Sequence, residues 1–253
     1  MIRLEHGNCL EIMDKLIDEG VKVDMILADP PYGTTKCKWD EVIPFDKMWH
    51  RINKLIKPNG AIVLFGSEPF SSYLRLSNIN KYRYDLIWEK PQGVDPLNAK
   101  VRPLNNIENM SVFYSKKPTY NPQFDSGKPY IVTRDKNTRV CEIQDWRYKE
   151  TTTVNSGTRY PKRILKFSRE TGYHTTQKPV GLLEYLIRTY SNEGELILDF
   201  TMGSGSTGVA CLNANRRFIG IELDENYFNI AKERIEKWNG QSITNEIKKY
   251  YKS

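Results

Sequence analysis

The stretch LILDFTMGSGSTGVA, residues 196–210, restricts the fold of this chain more than any other. Its first three residues are apolar and suit a buried strand, and the segment STGVACLNAN suits a helix. Between them, Gly203, Gly205 and Gly208 have the spacing G-x-G-x-x-G. Glu222 follows 14 residues after the last of these glycines. A glycine-rich turn that leads from a strand into a helix is typical of parallel α/β sheets that hold a nucleotide-like cofactor.

Short apolar runs with β-branched or aromatic residues recur along the chain and predict further buried strands. Segments with apolar residues at helical spacing lie between several of them, for example PFDKMWHRINKLIKPNG and PVGLLEYLIRTYS. Strands that alternate with helices predict an α/β fold with a mostly parallel, doubly wound sheet. The predicted strands are Val23–Ala28, Ala61–Phe65, Tyr84–Trp88, Ser111–Tyr114, Leu196–Phe200 and Phe218–Leu223.

The length and the composition exclude several classes of protein. The 253 residues suit one large domain, or a domain with a sizeable insertion. No stretch has the apolar length of a membrane span, and the start, MIRLEHGNCL, lacks the apolar core of a signal peptide, so a soluble cytoplasmic protein is expected. The four cysteines are scattered without a C-x-x-C pair, and no metal site is expected.

The stretch from about residue 91 to 173 interrupts the alternation of strands and helices. It is rich in Lys, Arg, Asn, Thr, Pro and Tyr and has no long amphipathic helix. Residues 116–173 hold 13 Lys and Arg against 6 Asp and Glu, a surplus that equals the net charge of +7 for the whole chain. We therefore predict a core of residues 1–90 and 174–253, and an insertion at 91–173 whose basic surface suits a polyanionic partner.

Two classes of cofactor suit the glycine-rich turn. An NAD-type dehydrogenase needs a second mononucleotide-binding half, and only 31 residues follow Glu222. S-adenosylmethionine uses the same features, because the helix N-terminus near Ser206 and Thr207 attracts its carboxylate. Asp199 can then accept from its ammonium group, and Glu222 from its ribose hydroxyls. A tight turn without any ligand remains a third interpretation at this point.

The segment ILADPPYG, residues 26–33, is a second polar turn that follows an apolar strand. Turn formation alone would explain its Asp and Pro residues, but turns at the carboxyl ends of strands in open α/β sheets share one crevice. Methylation of an exocyclic base amine would use every residue here. The Asp29 carboxylate and the Pro30 carbonyl, stiffened by Pro31, accept the amine hydrogens. Tyr32 offers a flat face to a base that has left the duplex.

With these motifs, the chain resembles the amino-group DNA methyltransferases of β-type motif order, in which D-P-P-Y comes first and the cofactor loop last. The resemblance covers nearly the whole chain. It implies a Rossmann-like methyltransferase fold of circularly permuted motif order, with S-adenosylmethionine as the cofactor, double-stranded DNA as the substrate and 91–173 as the target-recognition segment. The similar segments are HGNCLEIM, DMILADPPYG, YDLIWEKP, HTTQKPVGLLEYLI, LDFTMGSGSTG and FIGIEL.

The resemblance also assigns roles to single residues. It implies that Asp29, Pro30, Pro31 and Tyr32 carry methyl transfer. Two positions depart from the family pattern, since Phe200 follows Asp199 directly where D-P-F is usual, and Asn8 replaces a frequent acid. The implied cofactor-binding residues are Asn8, Cys9, Lys178, Asp199, Thr201, Gly203, Ser204, Gly205, Ser206, Thr207 and Glu222.

Contacts with DNA are expected mainly from the insertion. Its arginines suit phosphates or guanine edges, and its aromatic residues suit stacking. Trp39 follows D-P-P-Y as it often does in the family, and suits either a DNA contact or a core position. The candidate residues are Trp39, Arg134, Arg139, Arg147, Arg159 and Arg163, with Tyr130, Trp146, Tyr148 and Tyr160 for stacking.

The identity of the base and of further partners is less constrained. Aspartate rather than serine before P-P-Y favours N6 of adenine, with N4 of cytosine as the alternative. An NAD-type oxidoreductase and an inactive nucleic-acid-binding module are alternatives from other classes, and RNA is an alternative substrate. The family also leaves room for a partner restriction endonuclease and for a homodimer.

Overall fold

The computed structural model describes residues 1–34, 40–94, 96–134, 139–141, 146–147, 150–172 and 177–238, with the backbone alone for 139–141 and 146–147. In chain order the strands are β1 (Ile2–His6), β2 (Val23–Ala28), β3 (Ile56–Gly66), β4 (Tyr82–Val94), β5 (Asn105–Phe113), β6 (Asp125–Ser126), β7 (Tyr130–Arg134), β8 (Arg139–Cys141), β9 (Trp146–Arg147), β10 (Thr151–Asn155), β11 (Thr158–Arg159), β12 (Ile164–Lys166), β13 (Leu196–Asp199) and β14 (Arg217–Glu222). The helices are α1 (Cys9–Asp18), α2 (Phe45–Leu55), α3 (Phe70–Ser77), α4 (Val180–Tyr190), α5 (Ser206–Asn213) and α6 (Glu225–Glu236), with a 3₁₀ helix at Pro96–Asn98.

Eight strands form one sheet in the order β1-β14-β13-β2-β3-β5-β4-β12. Neighbouring strands run parallel except at β5, which is antiparallel to both β3 and β4. The predicted α/β class with a mostly parallel sheet is therefore confirmed. β3 and β4 extend beyond the apolar runs that predicted them, Ala61–Phe65 and Tyr84–Trp88.

Helices cover both faces of this sheet, as the alternating side chains of β2 require. Met25 and Leu27 point into a buried cluster that includes residues of α4, α5 and α6. Ile26 and Ala28 point to the other face, into a cluster with residues of α1, α2 and α3. The sheet is thus doubly wound, with one apolar core on each side.

The arrangement of β2 and β13 creates a crevice in the sheet. The two strands are parallel neighbours, with Leu198 opposite Ile26. The chain leaves β2 toward β3 on one side and leaves β13 toward β14 on the other. Ligands of open α/β sheets bind at such a switch point, outside the carboxyl ends of the strands. The D-P-P-Y turn and the glycine-rich turn follow these two strands directly.

The segment 91–173 contributes to the central sheet as well as to structure outside it. β5 and β12 are strands of the sheet, and Met110, Val112 and Phe113 of β5 are fully buried, so this part of the segment is core. Outside the sheet, β6 pairs with β11, β7 with β10 and β8 with β9, all antiparallel. The described strands that stand apart from the sheet therefore all lie between residues 125 and 159. Among the helices that the structure describes, all are too short or too polar to cross a bilayer.

Candidate active site

A cavity of about 700 Å³ opens at the carboxyl ends of β2 and β13. The D-P-P-Y turn, the glycine-rich turn, the β1–α1 turn and the end of β14 all contribute to its wall. Motifs about 170 residues apart meet here because their strands are neighbours in the sheet. The predicted site residues that line the cavity are Asn8, Cys9, Asp29, Pro30, Pro31, Tyr32, Lys178, Asp199, Thr201, Gly203, Ser204, Ser206, Thr207 and Glu222.

Gly205 is the one predicted cofactor-binding residue that does not line the cavity. It precedes α5 with φ +79°, in the left-handed region that favours glycine. A Cβ at this position would lie 2.9 Å from the Cβ of Ala231 on α6. The glycine therefore permits close packing of the turn against α6.

The D-P-P-Y turn is held by Asp40, a residue for which the sequence predicts no role. The backbone N–H groups of Tyr32 and Gly33 donate to its Oδ1 at 2.8 and 2.9 Å, and that of Thr34 donates to Oδ2 at 2.9 Å. The Asp40 side chain is 7% exposed. One buried carboxylate thus fixes three consecutive backbone donors, and with them the turn that carries Asp29.

Both carboxylate oxygens of Asp29 have partners. The Tyr32 hydroxyl donates to Oδ1 and the Lys178 ammonium donates to Oδ2. The Asp29 side chain remains 27% exposed and lines the cavity. Its enclosure raises the pKa of the Asp29 carboxyl above its usual value, and the charge of Lys178 opposes that effect. Asp29 is thus an oriented acceptor at the cavity wall.

Glu108 on β5 is a further acid of this site, and no pattern in the sequence predicts a role for it. Its carboxylate contacts the ammonium groups of Lys178 at 2.9 Å and Lys90 at 2.8 Å, and the Tyr32 hydroxyl at 3.0 Å. Burial would raise the pKa of Glu108, but the two lysine charges outweigh it and lower the pKa to about 2. Glu108 matches no motif, and Lys90 belongs to the segment YDLIWEKP without a role of its own, so only their spatial neighbours mark them.

Lys178 precedes α4 and contacts the side of the cavity that the D-P-P-Y turn forms. The resemblance assigns it to the cofactor, whereas here its ammonium group lies between Asp29 and Glu108 and 5.1 Å from the ring centre of Phe65. Burial would lower the pKa of Lys178, but the two carboxylates outweigh it and hold the pKa above its usual value. Lys178 therefore stays charged.

Acidic side chains brace the glycine-rich turn. Glu222 accepts from the backbone N–H groups of Gly203 at 2.8 Å and Asp224 at 2.9 Å. Asp199 accepts from the Thr201 N–H at 3.0 Å and from the Thr207 hydroxyl at 2.6 Å. Burial raises the pKa of the Asp199 carboxyl to about 7, so this group gains from a cation beside it.

The β1–α1 turn forms another part of the wall. The Asn8 side chain caps α1, and its Oδ1 accepts from the Leu10 N–H at 2.9 Å. Cys9 is partly buried, and burial raises the pKa of its thiol to about 11, so the thiol stays neutral. Both residues face the cavity as neutral groups.

The predicted DNA-binding arginines lie away from this cavity where the structure describes them. Arg134 is exposed at the end of β7, and Arg163 donates to the Asp85 carbonyl at 3.0 Å. Arg159 donates to the Asn155 side chain at 2.7 Å and lies 4.7 Å from the ring centre of Tyr130. Trp39, Tyr148 and the side chains of Arg139, Trp146 and Arg147 fall outside the described residues.

The fold and the cavity together define a class of enzyme. A doubly wound sheet carries a glycine-rich turn after β13, an acid at the end of β14 and a D-P-P-Y turn after β2, all on one cavity. This is the arrangement of a Rossmann-like methyltransferase of permuted motif order.

Comparison with known proteins identifies the family. The family model described as DNA methylase (N6_N4_Mtase) matches residues 23–233, and the chain belongs to this family. The Type II methyltransferase M2.DpnII of Streptococcus pneumoniae is 29% identical over 93% of this chain and 90% of its own length. The crystal structure of the M1.HpyAVI–SAM complex has a TM-score of 0.65 and 30% identity, over 92% of this chain and 100% of that one. The PvuII DNA methyltransferase (cytosine-N4-specific) shares the fold at 15% identity, with a TM-score of 0.66 over 99% of this chain and 91% of that one.

S-adenosylmethionine is the cofactor of this family member, and the residues around the cavity fit it. The buried Thr201 hydroxyl has no hydrogen-bond partner among the described residues and lines the cavity. Gly203, at φ +54°, would direct a Cβ into open space. A polar atom left unpaired and an open space at the glycine are features of a site shaped around a ligand.

Proposed function

We propose that this chain methylates the N6 amino group of adenine in a specific sequence of duplex DNA, after the base has left the duplex. The observation that carries the proposal is the single cavity shared by the Asp29 carboxylate and the glycine-rich turn. Aspartate before P-P-Y supports adenine. The alternative is N4 of cytosine, which the family covers as well and which the PvuII enzyme's name specifies for that protein.

When bound, S-adenosylmethionine supplies a methyl carbon whose bond to sulfur breaks, with both electrons staying on sulfur, as the amine nitrogen bonds to it. The Asp29 carboxylate and the Pro30 carbonyl accept the two amine hydrogens and so direct the nitrogen lone pair. The negative charge of Asp29 stabilises the positive charge that develops on this nitrogen before a proton leaves it. The Tyr32 ring, which lies 5.0 Å from the ring of Phe70, supplies a flat surface for the base.

We assign the cofactor contacts to the opposite wall of the cavity. Asp199 accepts from the ammonium group, whose charge suits a buried carboxylate, and Glu222 keeps free lone pairs for ribose hydroxyls. The first N–H groups of α5, at Ser206 and Thr207, suit the carboxylate, because a helix N-terminus attracts anions. We assign Asn8 and Cys9 to the adenine ring, because the resemblance implies that role and both residues line the cavity.

We assign sequence recognition to the insertion, and within it to the β structure outside the central sheet, residues 125–159. Arg134 and Arg159 belong to this part, and Arg163 follows it. Their positive charges suit the phosphates of duplex DNA. The relatives include Type II methyltransferases, which supports a partner endonuclease for this chain, and a homodimer is proposed on the resemblance alone.

The test is to express the chain in a host without DNA methylation and to map the modified bases by sequencing. N6-methyladenine at one recurrent sequence is expected, and its loss in D29A assigns it to this site. N4-methylcytosine alone would overturn the choice of adenine. Unmodified DNA with a chain that binds S-adenosylmethionine would overturn the proposed activity, and binding of NAD instead would favour an oxidoreductase.

A further inference from the structure

Four ionisable side chains from separate parts of the chain form one network beside the cavity. Asp29 contacts Lys178, Lys178 contacts Glu108, and Glu108 contacts Lys90. The Tyr32 hydroxyl lies within hydrogen-bond distance of both carboxylates, although its single proton can be donated to only one of them at a time. All five residues line the cavity, so the network faces the space where the base would be methylated.

The charges of this network are balanced. Two carboxylates face two ammonium groups, and the side chains of Lys178, Glu108 and Lys90 are 8%, 6% and 12% exposed. A buried charge is strongly unfavourable when its partner is removed, so each member depends on the others. Glu108 holds the central position, since it contacts both lysines.

Lys178 also restricts the reaction assigned to Asp29. An ammonium group on Oδ2 favours the ionised form of the Asp29 carboxylate, but it occupies an oxygen that the amine of the base would use. The same ammonium already contacts Glu108 Oε1 at 2.9 Å. Lys178 can therefore move fully onto Glu108 and keep an ionic partner, while Asp29 turns to the base.

We propose that Glu108 is a positioning residue, which holds Lys178 beside Asp29 and accepts its ammonium group when the target amine binds Asp29. Lys90 fixes the other oxygen of Glu108 and so keeps this acceptor in place. The inference rests on the proposed methyl transfer at Asp29. It holds for either base, because it concerns only the acceptor of the amine.

The charged groups around Asp29 determine how substitutions shift the pH profile. Lys178 precedes α4, Glu108 lies on β5, Lys90 lies on β4, and Asp199 ends β13. Tyr32, on the same turn as Asp29, adds its hydroxyl. Loss of a negative neighbour makes Asp29 easier to ionise, and loss of a positive neighbour makes it harder, by about one pH unit or more for groups this close.

The experiment compares E108Q and K178M with wild type in transfer of tritiated methyl groups to unmethylated genomic DNA. For E108Q, kcat falls at least tenfold and the acidic limb of the profile moves to lower pH, because Lys178 then has Asp29 as its remaining anionic partner. For K178M the acidic limb moves to higher pH. The double variant shows an acidic limb between those of the single variants. The Kd of S-adenosylmethionine stays within about threefold of wild type in all of them.

Controls separate a positioning role from a structural one. E233Q removes an exposed acid of α6 that pairs with Lys237, and its pH profile stays at that of wild type. K90M removes the ammonium group from the other oxygen of Glu108, so Lys178 becomes the main partner of Glu108. Lys178 then stabilises the Asp29 carboxylate less, and the acidic limb moves to higher pH. This variant decides the matter should E108Q fail to fold.

Three results would overturn the inference while the wild-type enzyme remains active. The first is an E108Q enzyme with the kcat and pH profile of wild type, and the second is a shift of E108Q and K178M in the same direction. The third is a K90M enzyme whose acidic limb stays at that of wild type. A wild-type chain that transfers no methyl group to DNA would instead refute the proposed function.

Discussion

Asp40 offers the sharpest test of how the structure prepares the site, because it fixes the D-P-P-Y turn without belonging to it. D40A removes three hydrogen bonds from backbone N–H groups to a buried carboxylate, at 2.8, 2.9 and 2.9 Å. A hydrogen bond to a charged group contributes about 1.5–3 kcal/mol, but water at the open cavity replaces part of this loss. We therefore expect a net loss of about 3 kcal/mol in the free energy that holds the turn in place.

That loss of free energy lowers the activity, because Asp29 and Tyr32 are productive only in the ordered turn. About 3 kcal/mol corresponds to a fall of roughly 100-fold in kcat/KM, at about 1.4 kcal/mol for each factor of ten. D40N keeps one carbonyl oxygen as an acceptor and turns an NH₂ group toward the remaining N–H. We expect it to lose about tenfold.

The assay is transfer of labelled methyl groups to DNA, together with the Kd of S-adenosylmethionine by calorimetry. The glycine-rich turn follows β13 and does not depend on Asp40, so the Kd stays within about threefold for both variants. A D40A enzyme with the kcat/KM of wild type would refute the reasoning. Equal losses in D40A and D40N would show that the number of accepted hydrogen bonds is not what matters.

Three further predictions concern the roles assigned to the cavity and to the insertion. D29A retains the binding of S-adenosylmethionine and of DNA but lowers kcat by about 100-fold or more, because it removes the charge beside the developing ammonium. Single-turnover methyl transfer measures this loss, and retained turnover would contradict the role of Asp29. Because burial raises the pKa of Asp199 to about 7, the carboxyl takes up a proton as the pH falls below 7 and must lose it to bind an ammonium group. The affinity for S-adenosylmethionine, measured by calorimetry from pH 5.5 to 8.5, therefore falls toward acid pH in wild type, and a D199N variant with the same dependence would exclude Asp199 as its source. DNA affinity falls with salt by about 0.9 log unit per neutralised phosphate for each tenfold increase in salt concentration. We expect R134A, R159A and R163A each to reduce that slope, measured by fluorescence anisotropy, because each removes a phosphate contact. Slopes equal to that of wild type would show that these arginines do not contact DNA phosphates.

Much of the fold follows from local patterns in the sequence. The apolar runs at Val23–Ala28 and Leu196–Asp199 form strands, and the turns after them carry the two motifs. Periodicity and turn chemistry depend on neighbours within a few residues, so a single stretch is enough to interpret them. The position of β5 between β3 and β4 does not follow from such local patterns, because it depends on pairing across the sheet.

The sequence by itself determined the α/β class, the order of the motifs and the residues of the two turns, because these depend on short-range spacing and on residue type. Only the tertiary structure decided which side chains surround Asp29. Lys178 is 149 residues from Asp29 along the chain, and Glu108 is 76 residues from Tyr32. Their charges interact because the strand order of the sheet brings them together in an enclosed cavity, and no local pattern encodes which distant residues become neighbours there.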